Sequence, residues 1–159
     1  MATQGQTIIG RRGKPLEEVR RERQKNRRSQ SYQAFLKALC AKTGWDAEFA
    51  ERAAVCVLGL LEYRITGDEA RDLEAQLPDK LVELLHTGEP ITDVPFRKLN
   101  LDMFIRLVED ELKREGAGDA EAIIRQVFDV VRERVSEGEV DQVVHQLPKD
   151  LQALWRPVS

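Results

Sequence analysis

Two nine-residue stretches decide the fold: Gln76-Leu77-Pro78-Asp79-Lys80-Leu81-Val82-Glu83-Leu84 and, seventy positions later, Gln146-Leu147-Pro148-Lys149-Asp150-Leu151-Gln152-Ala153-Leu154. The glutamine, the proline and three leucines are identical in both. Proline disfavours helical geometry at the residue before it, yet its own ring suits the start of a helix. Each stretch therefore predicts a corner at which one helix ends and the next begins.

Apolar residues recur at helical spacing around both corners. The matched positions of the first helix in each half are Phe35, Leu36 and Leu39, and Phe104, Ile105 and Val108. Asp46 and Asp119 precede the next apolar runs and are predicted N-caps, because a carboxylate accepts from the free amides of a helix start. The pattern predicts an all-α fold of about eight helices, arranged as two tandem four-helix repeats packed as one domain.

A second pair of matched motifs lies before the corners. Thr66-Gly67-Asp68-Glu69 and Ser136-Glu137-Gly138-Glu139 have the pattern of capping boxes, in which the hydroxyl accepts from an amide and the glutamate reaches back. Pro90 and Pro95 interrupt an aperiodic connector between the halves. These signals divide the chain into an extension (1–31), repeat 1 (32–88), a linker (89–99) and repeat 2 (100–157).

Each repeat is small enough to be marginally stable by itself, because about 60 residues bury too little surface. We therefore expect the repeats to bury their apolar faces against each other. Trp45 precedes the Asp46 cap and is predicted to pack against the first turn of that helix. Trp155 takes the position of Leu85 on an apolar face and is predicted to lie in the core.

Charge is distributed unevenly along the chain. Residues 1–31 carry nine basic and three acidic side chains, whereas the remainder carries 16 basic and 25 acidic ones. No large apolar residue lies between Val19 and Tyr32, so a helix there has little to bury. We expect the extension to be mobile or ordered by a partner. The predicted partner-binding residues are its cations: Arg11, Arg12, Lys14, Arg20, Arg21, Arg23, Lys25, Arg27 and Arg28.

The corner motif also carries a family resemblance. The run Gly67-Asp68-Glu69-Ala70-Arg71-Asp72-Leu73-Glu74-Ala75-Gln76-Leu77-Pro78-Asp79-Lys80-Leu81, with its counterpart from Glu139 to Leu154, resembles the bacterial family known as domain of unknown function 2267. The resemblance extends from about residue 31 to about residue 157, so the basic extension lies outside it. It implies a tandem helical fold in a cytoplasmic bacterial protein, and it supplies no reaction or catalytic residues.

Residues able to perform chemistry are sparse in the sequence. His86 falls at a predicted helix end and His145 stands apart from any HExxH or CxxC pattern. Cys40 and Cys56 lie on or beside apolar stripes and are predicted to be small buried hydrophobes. We therefore predict no catalytic residue, no metal and no cofactor.

The basic extension is the strongest functional signal. It predicts a non-enzymatic protein–protein interaction module whose arginine-rich arm docks to an acidic partner or a larger assembly. The alternative is a nucleic-acid-binding accessory protein, although no aromatic residue interleaves with the arginines for base stacking. An enzyme with a pocket between the repeats is less favoured. No apolar stretch approaches the length of a membrane span, so we expect no membrane insertion. Two cysteines without CxxC spacing fit a reduced cytoplasm, which is the expected location.

Overall fold

The part of the chain that the structure describes folds into eight α-helices. The computed structural model describes residues 16–65, 67–87, 92–113 and 119–156, and only the backbone of residues 22 and 24–30. The helices are α1 (Leu16–Thr43), α2 (Ala47–Arg64), α3 (Gly67–Glu74), α4 (Asp79–Leu85), α5 (Leu101–Glu111), α6 (Ala120–Arg132), α7 (Glu137–Gln146) and α8 (Lys149–Trp155). A 3-10 turn, Phe96–Lys98, lies in the predicted linker. The described residues contain no strand, so the all-α prediction is confirmed.

Both predicted N-caps are confirmed. The Asp46 carboxylate accepts from the backbone amide of Phe49 at 2.8 Å, and Asp119 accepts from the amide of Ala122 at 2.7 Å. The Trp45 ring meets the Phe49 ring edge-on, with centroids 5.0 Å apart, as expected of a residue that packs against the first turn. These contacts fix where α2 and α6 begin.

The two Gln-Leu-Pro stretches form corners, as predicted. Helix α3 ends at Glu74, and the next helix is entered through Pro78, whose φ is −56°. Pro148 precedes α8 in the same way. Leu77 and Leu147 are each 5% exposed, which means that the leucine of either corner is buried in the core. The sequence placed both prolines in the first turn of the following helix. In the structure each is the N-cap residue, one position before that turn.

One hydrophobic core includes residues from both halves of the chain. Helices α2 and α6 are its centre, since each buries most of its apolar side chains. Helix α2 contacts α1, α4, α5 and α6, while α6 also contacts α1 and α8. The apolar faces of the first and second halves are consequently buried against each other.

Helix α1 crosses the predicted boundary between residues 31 and 32 without a break. What changes there is burial: Tyr32, Phe35 and Leu39 are buried in the core, whereas Ser31 is exposed. The Tyr32 hydroxyl donates to the Glu51 carboxylate and ties α1 to α2 at the point where burial begins. One continuous helix therefore joins the basic extension to the core.

Trp155 is the largest fully buried side chain. Its ring lies edge-on to Phe128 at 5.0 Å, and its indole N–H donates to the Val140 carbonyl at 3.1 Å. The predicted core position is therefore confirmed. Leu85, its counterpart seventy positions earlier, is only partly buried.

Replacing Trp155 with alanine should lower the free energy of unfolding by about 3–5 kcal/mol, because it removes a large ring and leaves a cavity. Leu85→Ala, at the matched position, should cost about 1–2 kcal/mol because less of that side chain is buried. Urea denaturation followed by circular dichroism measures both values. Equal losses for the two variants would contradict the difference in burial.

Candidate functional site

The predicted partner-binding cations fall into three groups. Arg20, Arg21 and Arg23 lie on α1 and are exposed. Lys25, Arg27 and Arg28 belong to the same helix, but their side chains lie outside the described part of the structure. Arg11, Arg12 and Lys14 lie outside the described residues altogether. We call residues 16–31 of α1 the basic segment.

The basic segment is a helical extension of a core element. No side chain described before Tyr32 is buried; Leu16 and Val19 are half-buried and the others are exposed. At 1.5 Å per residue, sixteen residues span about 24 Å. The described arginines are therefore held on a helix that is anchored at its other end in the core.

A second feature lies where α3 packs against α7. Glu69 and Glu139 meet there and share a hydrogen bond, although they are only 7% and 5% exposed. Asp72 lies beside them, and one carboxylate oxygen from each of the three residues lies within 4.8 Å of the other two. We call Glu69, Asp72 and Glu139 the carboxylate seam. Its two glutamates hold the same position in the two sequence repeats.

The seam holds a proton. Burial raises the pKa of Glu139 to about 8, and the hydrogen bond to Glu69 and the negative charges of Glu69 and Asp72 contribute in the same direction. Two adjacent buried carboxylates do not both ionise readily, because a like charge disfavours the charged form. At neutral pH the Glu139 carboxyl is therefore protonated and donates to Glu69.

The seam also corrects the predicted capping box. The Ser136 hydroxyl accepts from the Glu139 amide at 3.1 Å, as predicted. The Glu139 carboxyl does not reach back to the Ser136 amide; that amide donates to the Gln76 side-chain oxygen at 2.6 Å. The physical reason is the packing of α3 on α7, which brings the first corner close to the start of α7. Thr66, the cap residue of the first box, lies outside the described residues.

A third feature combines two acids and a histidine from three elements. Glu62 lies on α2, Glu74 ends α3, and His86 is the C-cap of α4. One possible ligand atom from each lies within 4.8 Å of the others, and His86 Nε2 is 2.6 Å from Glu74 Oε2. We call this the His86 cluster. Burial, followed by the hydrogen bond and charge of Glu74, raises the pKa of Glu62 to about 9.

Sequence spacing did not reveal the His86 cluster. Its members are twelve positions apart along the chain, and no local motif uses that spacing. The prediction that His86 lies at a helix end is confirmed. The contacts with Glu62 and Glu74 arise only from the way that α2, α3 and α4 pack.

Cys56 borders a cleft, and neither cysteine has the environment of a reactive thiol. A cavity of about 280 Å³ has a mixed lining of charged, polar and apolar side chains: Glu51, Arg52, Val55, Cys56, Leu84, Thr87 and Glu111. Burial raises the pKa of the Cys56 thiol to about 12 and also raises that of Cys40, which is half-buried. A thiol that stays protonated at neutral pH is a poor nucleophile. Cys56 is thus the buried small hydrophobe that the sequence predicts.

These features define an all-α domain with a basic helical extension. None of the described helices is both long enough and apolar enough to cross a membrane. The family model for the uncharacterized conserved protein DUF2267 matches residues 32–154, and the chain belongs to this family. The match begins at Tyr32, which is buried in the core and is the first buried residue among the side chains of α1 that the structure describes. No curated protein matches the chain.

The protonated seam predicts a pH-dependent stability. Between about pH 4.5 and 8 the folded chain retains a proton on Glu139 that the unfolded chain has released, so the free energy of unfolding falls as pH rises. Glu139→Gln keeps a hydrogen-bond donor without a titrating group. The wild type should lose stability between pH 5 and pH 8.5, and Glu139→Gln should lose about 1–2 kcal/mol less. This difference is smaller than for a fully buried carboxyl because the neighbouring Asp72 is exposed to solvent.

Glu137→Gln is the matched control, because Glu137 is exposed on the same helix and the substitution removes the same charge. Its difference from the wild type should change little between the two pH values. Urea denaturation at pH 5 and pH 8.5 measures all three chains. Parallel behaviour of Glu139→Gln and Glu137→Gln would contradict a shared proton in the seam.

Proposed function

We propose that this protein is a non-enzymatic protein–protein interaction module that docks to an acidic surface of a larger partner through the basic segment. The observation that carries the proposal is the continuity of α1. The same helix buries Tyr32, Phe35 and Leu39 in the core and exposes Arg20, Arg21 and Arg23 beyond it.

This arrangement suits recognition of an acidic protein because the cations are held in a helix before binding. A preorganised helix loses less conformational entropy on docking than a disordered tail. The segment holds six basic and three acidic side chains, and its acids lie mostly in the first turn, where the helix dipole favours them. The arginines that follow offer forked donors suited to carboxylates.

The charge of the remaining chain supports a protein partner over a nucleic acid. Residues 32–159 carry 25 acidic against 16 basic side chains. A nucleic acid that binds the segment would also approach this acidic body and be repelled by it. A small acidic patch on a protein can contact the segment without coming near the acidic body. No aromatic side chain lies among the arginines of the segment to stack on bases.

The test compares two triple variants of the full chain as bait in lysate from its own source. Arg20→Gln/Arg21→Gln/Arg23→Gln should reduce recovery of the partner by about tenfold, since each lost ion pair contributes up to about 1 kcal/mol. Lys80→Gln/Arg106→Gln/Lys149→Gln removes the same charge from exposed positions on other helices and should leave recovery unchanged. Crosslinking with mass spectrometry then identifies the surface that the segment touches.

Nuclease treatment before capture separates the two kinds of partner. A partner that is retained after nuclease, lost in the arginine variant and crosslinked through acidic residues supports the proposal. Recovery that nuclease abolishes favours nucleic acid; binding of duplex DNA should then show a log–log salt slope that weakens by about 2.7 in the arginine variant. Equal recovery by both triple variants would overturn the role of the segment.

A further inference from the structure

The His86 cluster combines donors that metal ions use. Glu74 and Glu62 supply carboxylate oxygens and His86 supplies an imidazole nitrogen, all within 4.8 Å of one another. They come from the body of α2 and from the ends of α3 and α4, so three separate elements converge on one point. The Glu74 side chain is 14% exposed and that of His86 is 63% exposed, which leaves one open side through which an ion can enter.

Glu62 supplies a separate observation that points to a ligand. Its carboxyl shares a hydrogen bond with Glu74, and no N–H or alcohol group of the described residues donates to its buried Oε2. A carboxyl oxygen has two lone pairs, so beyond this shared hydrogen bond the Glu62 Oε2 can still accept from a ligand. A cation placed between the three side chains would satisfy it.

The second half of the chain serves as an internal comparison. At the positions seventy residues later stand Arg132, Val144 and Arg156. Arg132 is only 10% exposed and donates to the Trp155 carbonyl at the end of α8. The matching helices of the second half thus carry two arginines and a valine where the first half carries two acids and a histidine. The helix packing that both halves share therefore does not require two acids and a histidine at these three positions.

We propose that Glu62, Glu74 and His86 bind a divalent transition-metal ion of the zinc type. The mixture of one imidazole and two carboxylates suits Zn²⁺ and its neighbours better than Mg²⁺ or Ca²⁺, which prefer all-oxygen shells. Bonds of about 2.0–2.2 Å to a tetrahedral ion place neighbouring donors about 3.3 Å apart. The three donor atoms, which lie within 4.8 Å of one another, would close to that spacing around the ion. Three protein ligands leave a fourth position for water.

The experiment titrates the metal-stripped full chain with Zn²⁺ by calorimetry, with Mg²⁺ as a competitor, and records the visible spectrum of the Co²⁺ form. We expect one saturable Zn²⁺ per chain, no displacement by Mg²⁺, and a Co²⁺ spectrum typical of ordered coordination. His86→Ala, His86→Gln, Glu74→Gln and Glu62→Gln should each weaken Zn²⁺ binding by about tenfold or more. Thermal melts of the apo variants verify that each is folded.

Two controls separate this site from other ligands on the chain. His145→Ala removes the other histidine, which is exposed and donates through Nδ1–H to the Asp141 carbonyl. Glu139→Gln alters the carboxylate seam, a second group of described side chains close enough together to hold an ion. Both variants should bind Zn²⁺ as the wild type does. The proposal is overturned if the wild type shows no saturable binding, if the His86 variants bind normally, or if either control abolishes binding.

These outcomes are independent of the proposed docking function. The basic segment is intact in every variant of the metal experiment, and the His86 cluster is intact in both triple variants used for partner recovery. Loss of Zn²⁺ binding with partner recovery retained, or the reverse, would therefore identify which of the two proposals has failed.

Discussion

The contact between α2 and α6 is the interaction on which the rest of the structure depends. Each half of the chain is too short to bury its apolar faces alone. Val57, Leu60 and Leu61 of α2 and Ile124, Val127 and Val131 of α6 are fully buried in a core that both halves share. Because side chains pack at the density of a crystal, this contact leaves little freedom in how the flanking helices are placed.

One consequence is that α3 packs against α7, so that two equivalent residues of the sequence repeats contact each other. Glu69 and Glu139 would each be an ordinary helix-start glutamate in isolation. Their contact makes them a buried acid pair that retains a proton at neutral pH. The same packing lets Gln76 accept from the Ser136 amide, so the corner of the first half satisfies the helix start of the second.

The halves differ most where charge is concerned. The first half extends backward through α1 into the basic segment, and it alone carries the Glu62, Glu74 and His86 combination. In the second half Arg132 stands in place of Glu62 and donates to the last carbonyl of α8. A shared apolar framework thus supports different polar groups, because core packing constrains the buried faces and leaves most polar positions free to vary.

The sequence by itself determined the helical pattern, the Asp46 and Asp119 N-caps and the two corners, because these depend on neighbours within four residues: Asp46 needs only the Phe49 amide, and Pro78 acts on the residue beside it. It also determined the charge of the basic segment. The tertiary structure alone decided that Glu139 pairs with Glu69 instead of its own cap, and that Glu62, Glu74 and His86 converge. Those contacts join residues twelve to seventy positions apart, and no local spacing encodes distances set by how separate helices pack.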